Sequence, residues 1–151
     1  MIRIANAQGF WGDSLEAPHE QLRGGPIDYL TLDYLAEVTM SILEKQRSRD
    51  PQAGYARDFV HMLERGAREI VERGVKVVAN AGGVNPETCA EAAAAALARA
   101  GYKGRLKIGV VTGDNLLPCL DELLARGNEL RNLDTGEPLA AIRGRVRSAN
   151  A

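Results

Sequence analysis

The residues best suited to chemistry lie in a glycine-rich turn, Asn80-Ala81-Gly82-Gly83-Val84-Asn85-Pro86, between an apolar run and an alanine-rich stretch. Strand, glycine turn and helix is the local order in which α/β proteins build ligand sites. Adjacent glycines let the backbone approach a ligand closely, and the first N–H groups of a helix favour an anion or a carbonyl oxygen. The alternative is a turn that only connects the strand to the helix and binds no ligand.

Carboxylates form the second set of candidates. Asp33 and Glu37 are four residues apart at the start of a predicted helix, so both would point to one face. Such a pair could hold a divalent cation or serve as general acid and base. The alternative is an acidic first turn that stabilises the helix dipole. Asp114 is also predicted to be catalytic, although it could instead cap the helix that follows it.

The elements that must position these residues follow from periodicity and turn signals. In chain order we predict strand 2–7, helix 14–22, strand 27–32, helix 34–47, helix 55–73, strand 75–79, helix 86–100, strand 106–111, helix 115–126 and strand 141–148. This order favours an α/β fold, with a mostly parallel sheet and helices on both faces in a Rossmann-like three-layer arrangement. A partial (β/α) barrel is the alternative, since the local unit is the same.

In either architecture, ligands bind beyond the carboxyl ends of the strands. Polar residues and glycines lie at the carboxyl ends of all five predicted strands, with Ser148 and Asn150 at the fifth, and therefore gather at that edge. The predicted ligand-binding residues are Asn6, Gln8, Gly9, Asp13, Asn80, Gly82, Gly83, Asn85, Thr112 and Gly113. The predicted catalytic residues are Asp33, Glu37 and Asp114.

The remaining titratable residues are weaker candidates. His61 lies opposite the apolar stripe of its helix and is predicted to be solvated, whereas His19 could reach the edge of the site. Cys89 falls one turn into a helix, where a reactive thiol is conceivable, but a buried structural thiol is favoured. No zinc-type spacing of His and Cys occurs, so no metal ligand is assigned.

Bulk properties limit the function classes. The chain has 151 residues and a net charge of −1, which predicts one domain over residues 1–151 and argues against nucleic acid or an anionic membrane as partner. Two cysteines without metal spacing suit a reduced, cytoplasmic setting. No dinucleotide fingerprint, phosphate loop or nucleophile elbow occurs, so the cofactor stays undefined.

Four segments in order resemble a known family. They are Ala7-Gln8-Gly9-Phe10-Trp11-Gly12-Asp13, the block from Asp28 to Met40 containing Asp-Tyr-Leu-Ala-Glu-Val-Thr-Met, the turn from Asn80 to Pro86, and Val111-Thr112-Gly113-Asp114. The chain resembles the N-terminal portion of the acyclic terpene utilisation (AtuA-like) family. That family's domain runs beyond this length, and the chain ends on a predicted strand. Both observations suggest truncation at the C-terminus, with the missing part as a partner.

The resemblance also implies a metabolic setting. The family is associated with bacterial breakdown of citronellol- and geraniol-like compounds through coenzyme A thioesters. We therefore expect a small-molecule catabolic enzyme domain acting on a branched acyl-CoA or carboxylate, with hydratase- or lyase-type chemistry and homo-oligomerisation as a further expectation. The alternative is a non-catalytic domain that binds a ligand or helps to assemble a catabolic complex.

Overall fold

The computed structural model describes residues 1–151, which separate into two compact units. Unit 1 comprises Met1–Val111 and unit 2 comprises Thr112–Ala151. Unit 1 contains the sheet, and the prediction of a single domain over residues 1–151 stays a prediction.

A three-stranded parallel sheet forms the centre of unit 1. Its strands are β1 (Ile4–Gln8), β2 (Tyr29–Leu32) and β3 (Lys76–Ala79), arranged in the order β1-β2-β3. The register places Ala5, Leu30 and Val77 side by side across the sheet. The predicted α/β class with a parallel sheet is confirmed.

Four helices complete unit 1. They are α1 (Ala17–Gly24), α2 (Glu37–Arg47), α3 (Arg57–Arg73) and α4 (Pro86–Arg99). The longest, α3, buries one stripe of its surface and ends at Gly74, whose left-handed backbone (φ 66°) is the conformation in which glycine terminates a helix. None of the helices in the protein combines the length and the apolar character needed to cross a membrane.

The two faces of the sheet differ. Leu30 and Leu32 are buried in a core that also contains Leu22 of α1, Ile70 of α3 and Ala93 of α4. The alternate residues point to the opposite face, where Ile4 is 67% and Val78 is 56% exposed. The helices α1, α3 and α4 therefore pack on one face of the sheet, and side chains on the other face are exposed.

Two of the predicted strands do not form. Residues 106–111 are not hydrogen-bonded into the sheet. The predicted strand 141–148 is wrong, because Leu139–Arg145 is a 3-10 helix. Alternation of side chains predicts a strand only where a neighbouring strand can take up its backbone groups. Here the local Ala141 N–H to Pro138 C=O hydrogen bond (3.0 Å) begins a tighter helical turn instead.

The rest of unit 2 is also helical and irregular. A 3-10 turn, Leu117–Cys119, leads directly into α5 (Leu120–Ala125). Pro118 lies in the first turn, as predicted, where its missing N–H leaves no hydrogen bond unmade. Leu120 is the buried residue of α5, and an ion pair joins Asp121 to Arg143 of the 3-10 helix (2.6 Å).

Candidate functional site

The carboxyl ends of β2 and β3 bring Asp33 and Asn80 together. The strands are parallel neighbours, so the residues that follow Leu32 and Ala79 emerge side by side. The Asn80 amide Nδ2 donates to Asp33 Oδ1 (2.6 Å), and Asn80 Oδ1 accepts the backbone N–H of Tyr34 (2.7 Å). Both side chains are exposed to solvent. The predicted convergence of these two strand ends is therefore observed.

The Asp33 carboxylate is held on one side only. Besides the Asn80 amide, Oδ1 accepts the backbone N–H of Leu35 (3.2 Å). Neither hydrogen bond uses Oδ2, so one carboxylate oxygen remains available to an external group. These hydrogen bonds orient the carboxylate at the carboxyl edge of the sheet and leave Oδ2 without a partner in the chain.

Glu37 does not share a helical face with Asp33. The predicted helix over 34–47 starts three residues later than expected, because Ala36 is extended (φ −149°, ψ 170°) and α2 begins at Glu37 itself. Asp33 thus precedes the helix, and the four-residue spacing does not align the two carboxylates. Nowhere do three His, Cys, Asp or Glu side chains come together in a way that could hold a metal ion.

The glycines of the turn are required by packing within the chain. Gly83 has a left-handed backbone (φ 54°), and a Cβ there would lie 2.7 Å from the carbonyl oxygen of Gly54 and still closer to the Leu43 side chain. A Cβ on Gly82 would lie 2.7 Å from Cβ of Pro86. These contacts account for both glycines without a ligand, so the connecting-turn alternative has direct structural support.

Asn85 does not cap α4 as predicted. Its Nδ2 instead donates to the carbonyl oxygens of Pro51 (2.9 Å) and Ala53 (2.8 Å), and its side chain makes no capping hydrogen bond. The backbone N–H of Val84 adds a hydrogen bond to Gly54 (3.0 Å). Asn85 therefore fixes the loop that precedes α3, and the first N–H groups of α4 receive no side-chain acceptor from it.

The polar side chains that follow β1 make hydrogen bonds within the loop between β1 and α1. Asp13 Oδ1 accepts the N–H of Ser14 (2.7 Å) and Oδ2 accepts the N–H of Gly9 (3.1 Å). These backbone hydrogen bonds, Ser14 first and then Gly9, lower the pKa of the Asp13 carboxyl because they favour its charged form. Gln8 is buried, and its amide Nε2 donates to the carbonyl oxygen of Ser14 at 3.5 Å.

Asn6 lies away from the strand ends. It pairs in register with Thr31 in the middle of the sheet, and Thr31 Oγ1 donates to Asn6 Oδ1 (3.2 Å). Asn6 is exposed on the open face, whereas Asp33 and Asn80 follow their strands. The structure therefore does not bring Asn6 to the end of its strand.

The N-terminus of α3 holds the loops that follow all three strands, a convergence that the sequence did not reveal. Trp11, after β1, donates its indole N–H to Asp58 (3.1 Å). Tyr34, after β2, packs edge-on against Phe59 with ring centroids 6.1 Å apart. The Ala56 N–H donates to the carbonyl oxygen of Ala81, after β3 (2.9 Å). No local signal links residues so far apart in the chain.

Tyr34 and His19 are both buried polar residues. Tyr34 was predicted only as the start of a helix, and His19 was predicted to reach the edge of the site. Tyr34 is 1% exposed and its hydroxyl has no hydrogen-bond partner; burial, followed by the charge of Asp58, raises its pKa. His19 is 2% exposed, and its Nδ1 faces Gly66 of α3 rather than the site edge. The prediction that His19 reaches the edge is wrong, because α1 turns it into the contact with α3.

The predictions that His61 is solvated and that Cys89 is a buried thiol agree with the structure. His61 is exposed, as expected for the polar face of α3. Cys89 is a free, buried thiol, and burial raises its pKa to about 11, which suits the structural rather than the reactive interpretation.

In unit 2, Asp114 interacts with the end of the chain. Its Oδ2 accepts Nδ2 of Asn150 (2.8 Å), and its carbonyl oxygen accepts the N–H of Ala151 (2.9 Å). Asn115, not Asp114, accepts the N–H of Leu117 at the start of the helical turn (3.1 Å), so the predicted capping role was assigned one residue early. Thr112 and Gly113 are exposed in the same unit, and their predicted ligand contacts stay predictions.

Comparison with known proteins identifies a family. Residues 2–151 match the sequence profile described as "Acyclic terpene utilisation family protein AtuA". Neither the curated proteins nor the solved structures contain a match to this chain. The profile covers nearly the whole sequence, which agrees with the resemblance carried by the four segments. The chain belongs to the acyclic terpene utilisation family.

Proposed function

We propose that the edge of the sheet at Asp33 and Asn80 binds a branched acyl-CoA or carboxylate. In this proposal Asp33 acts as the general acid or base of the reaction. The reaction class is hydration, dehydration or carbon–carbon cleavage within small-molecule catabolism. The observation that carries the proposal is the carboxylate itself, which Asn80 and Leu35 hold through Oδ1 while Oδ2 stays open. Membership of the acyclic terpene utilisation family supports the metabolic setting.

The chemistry needs a group that moves a proton and donors that stabilise a developing oxyanion. An oriented carboxylate at a solvent-accessible edge suits the first role. The first N–H groups of α4, which the Asn85 side chain leaves uncapped, suit the second. In the proposal Asn80 positions Asp33 and fixes the loop after β2 through Tyr34. The free thiols of Cys89 and Cys119 support a cytoplasmic location as part of the same proposal.

Turnover of a panel of branched acyl-CoA thioesters, followed by mass spectrometry, tests this assignment. Asp33→Asn removes the base but keeps the shape, so kcat should fall by about 10²-fold or more. Asp134→Asn is the matched control, since Asp134 is an exposed aspartate of unit 2 and is not one of the residues of the proposal. Normal turnover by Asp33→Asn would remove Asp33 from the mechanism.

A non-catalytic role in ligand binding or complex assembly is the second candidate, and one observation favours it. Gly82, Gly83 and Asn85 are all accounted for by contacts within the chain, which weakens the case for a ligand held by the turn. A thermal shift with an acyl-CoA but no product under any metal would support this role. A homo-oligomer, or a partner supplied by further sequence of the same protein, would then complete the assembly.

A further inference from the structure

The outer edge of β3 is unpaired, as is the outer edge of β1 at the other side of the sheet. β3 is hydrogen-bonded to β2 on one side, and no strand lies on its other side. An open strand edge exposes a row of backbone N–H and C=O groups that can pair with another extended segment. A new neighbour that follows β3 in the chain and runs parallel to it, as the strands of this sheet do, returns through a crossover.

The crossover is already present, and its position selects the edge. α4 follows β3 and packs beside α3, and Ala93 of α4 shares one core with Leu22, Ile70 and the buried face of the sheet. The helices α1, α3 and α4 therefore lie on the same side of the sheet. Connections between parallel strands are right-handed in about 98% of cases. A strand that follows α4 on this side belongs next to β3, not next to β1.

The segment that follows α4 has the composition of a strand. Residues 106–111 read Leu-Lys-Ile-Gly-Val-Val, and Leu106 already packs against the core. Ile108 and Val110 are each 42% exposed and Val111 is 93% exposed, which is unusual for a run of β-branched residues. Leu106, Ile108 and Val110 alternate along the segment, so they would all face α4 if it were paired in the sheet.

The contact between this segment and α4 is incomplete. An open groove of about 300 Å³ lies between them and is lined on the helix side by Ala94, Leu97 and Ala98 and on the segment side by Leu106 and Ile108. Its lining is mainly apolar. Movement of the segment onto the helix and the sheet edge would fill this space and bury Ile108.

We propose that residues 106–111 dock along the free edge of β3 as a fourth parallel strand. The docked state pairs the open backbone groups of β3 and buries Ile108 and Val110 against α4. It also brings the carboxyl end of the segment, Val111, to the edge where Asp33 and Asn80 lie. The proposal concerns a conformation of unit 1 and does not depend on the proposed reaction.

Amide hydrogen exchange measured by NMR on the unmodified chain tests the proposal. A docked edge strand donates every second N–H to its neighbour, so alternate amides of residues 106–111 should exchange at least about tenfold more slowly than those between them. The outward-facing amides of β3 should also be protected. Exchange of the whole segment at the rate of an unstructured peptide would overturn the proposal.

Two variants provide the matched comparison. Ile108→Lys places a charge on the face that meets α4 and should abolish the protection in residues 106–111 and at the edge of β3, while the amides of α3 stay protected. Lys107→Ala alters the opposite face and should preserve the alternating pattern. Protection that grows with protein concentration would mean pairing between copies and would equally overturn docking within one chain.

Discussion

The turn from Gly82 to Asn85 begins two residues after Asn80 of the Asp33–Asn80 pair, yet the turn and the pair use their polar groups differently. In the turn, the glycines avoid contacts with Leu43, Gly54 and Pro86, and the Asn85 amide Nδ2 donates to two carbonyl oxygens. In the pair, Asp33 is oriented but keeps one oxygen open. Contacts within the chain therefore account for the glycines of the more conspicuous motif, whereas the aspartate keeps an oxygen free for an external group.

The largest expected effect on stability is at Gly83. Gly83→Ala would force a Cβ against Leu43 and the Gly54 carbonyl at a left-handed backbone position. Strain of about 1–2 kcal/mol and overpacking of about 1–3 kcal/mol should lower the free energy of unfolding by roughly 3 kcal/mol. Urea denaturation measures this change.

The control for that variant is Gly101→Ala. Gly101 also has a positive φ (87°), but nothing lies within 4 Å of the position of its Cβ. We expect a loss of about 1 kcal/mol from backbone strain alone. Equal losses at the two positions would show that packing does not explain Gly83.

The two asparagines that flank the turn should separate stability from activity. Asn85→Ala leaves the carbonyl oxygens of Pro51 and Ala53 without their donor and should cost about 1–2 kcal/mol in unfolding free energy. Asn80→Ala removes the exposed hydrogen bond to Asp33 and the part-buried one from the Tyr34 N–H, so it should lower turnover because Asp33 loses its orienting amide, with a smaller loss of stability. Thermal denaturation and acyl-CoA turnover, measured on both variants, distinguish the roles. A destabilised but active Asn80→Ala would reverse the assignment.

The smallest expected effect is a pH dependence of the free energy of unfolding, and it arises at His19, outside both the glycine turn and the Asp33–Asn80 pair. Burial, followed by the charge of Arg65, lowers the pKa of His19 from its ordinary value of 6.5, while Glu16 and Glu69 oppose and Arg23 adds to this shift. His19 therefore binds a proton more readily in the unfolded chain than in the folded one. Its contribution to the free energy of unfolding is complete above pH 6.5 and decreases as the pH falls below that value.

Urea midpoints measured across this range for the unmodified chain and for His19→Gln test the effect. The variant should show a flatter pH dependence, with the exposed His61→Gln as control. If turnover of an acyl-CoA follows the same profile as stability, His19 cannot be treated as remote from the site.

Local patterns predicted much of unit 1. The strand at 75–79 and the helices at 55–73 and 86–100 appear within two residues of their expected bounds. Each has a strong periodic stripe or a clear stop such as Gly74, and these depend on neighbouring residues only. The predicted strand 141–148 failed because a strand depends on a partner that alternation alone cannot supply, and the chain satisfied its backbone groups locally instead.

The sequence by itself determined the parallel α/β class, the family and the position of Asp33 and Asn80 after successive strands, because periodicity, helix stops and strand order are local properties. Only the tertiary structure decided that Asn80 orients Asp33, that Asn85 holds a loop instead of capping α4, and that Trp11 and Tyr34 meet the start of α3. Each of these depends on contacts between residues more than 20 positions apart. Such contacts are set by how the helices pack on one face of the sheet, and no short stretch of sequence specifies that packing.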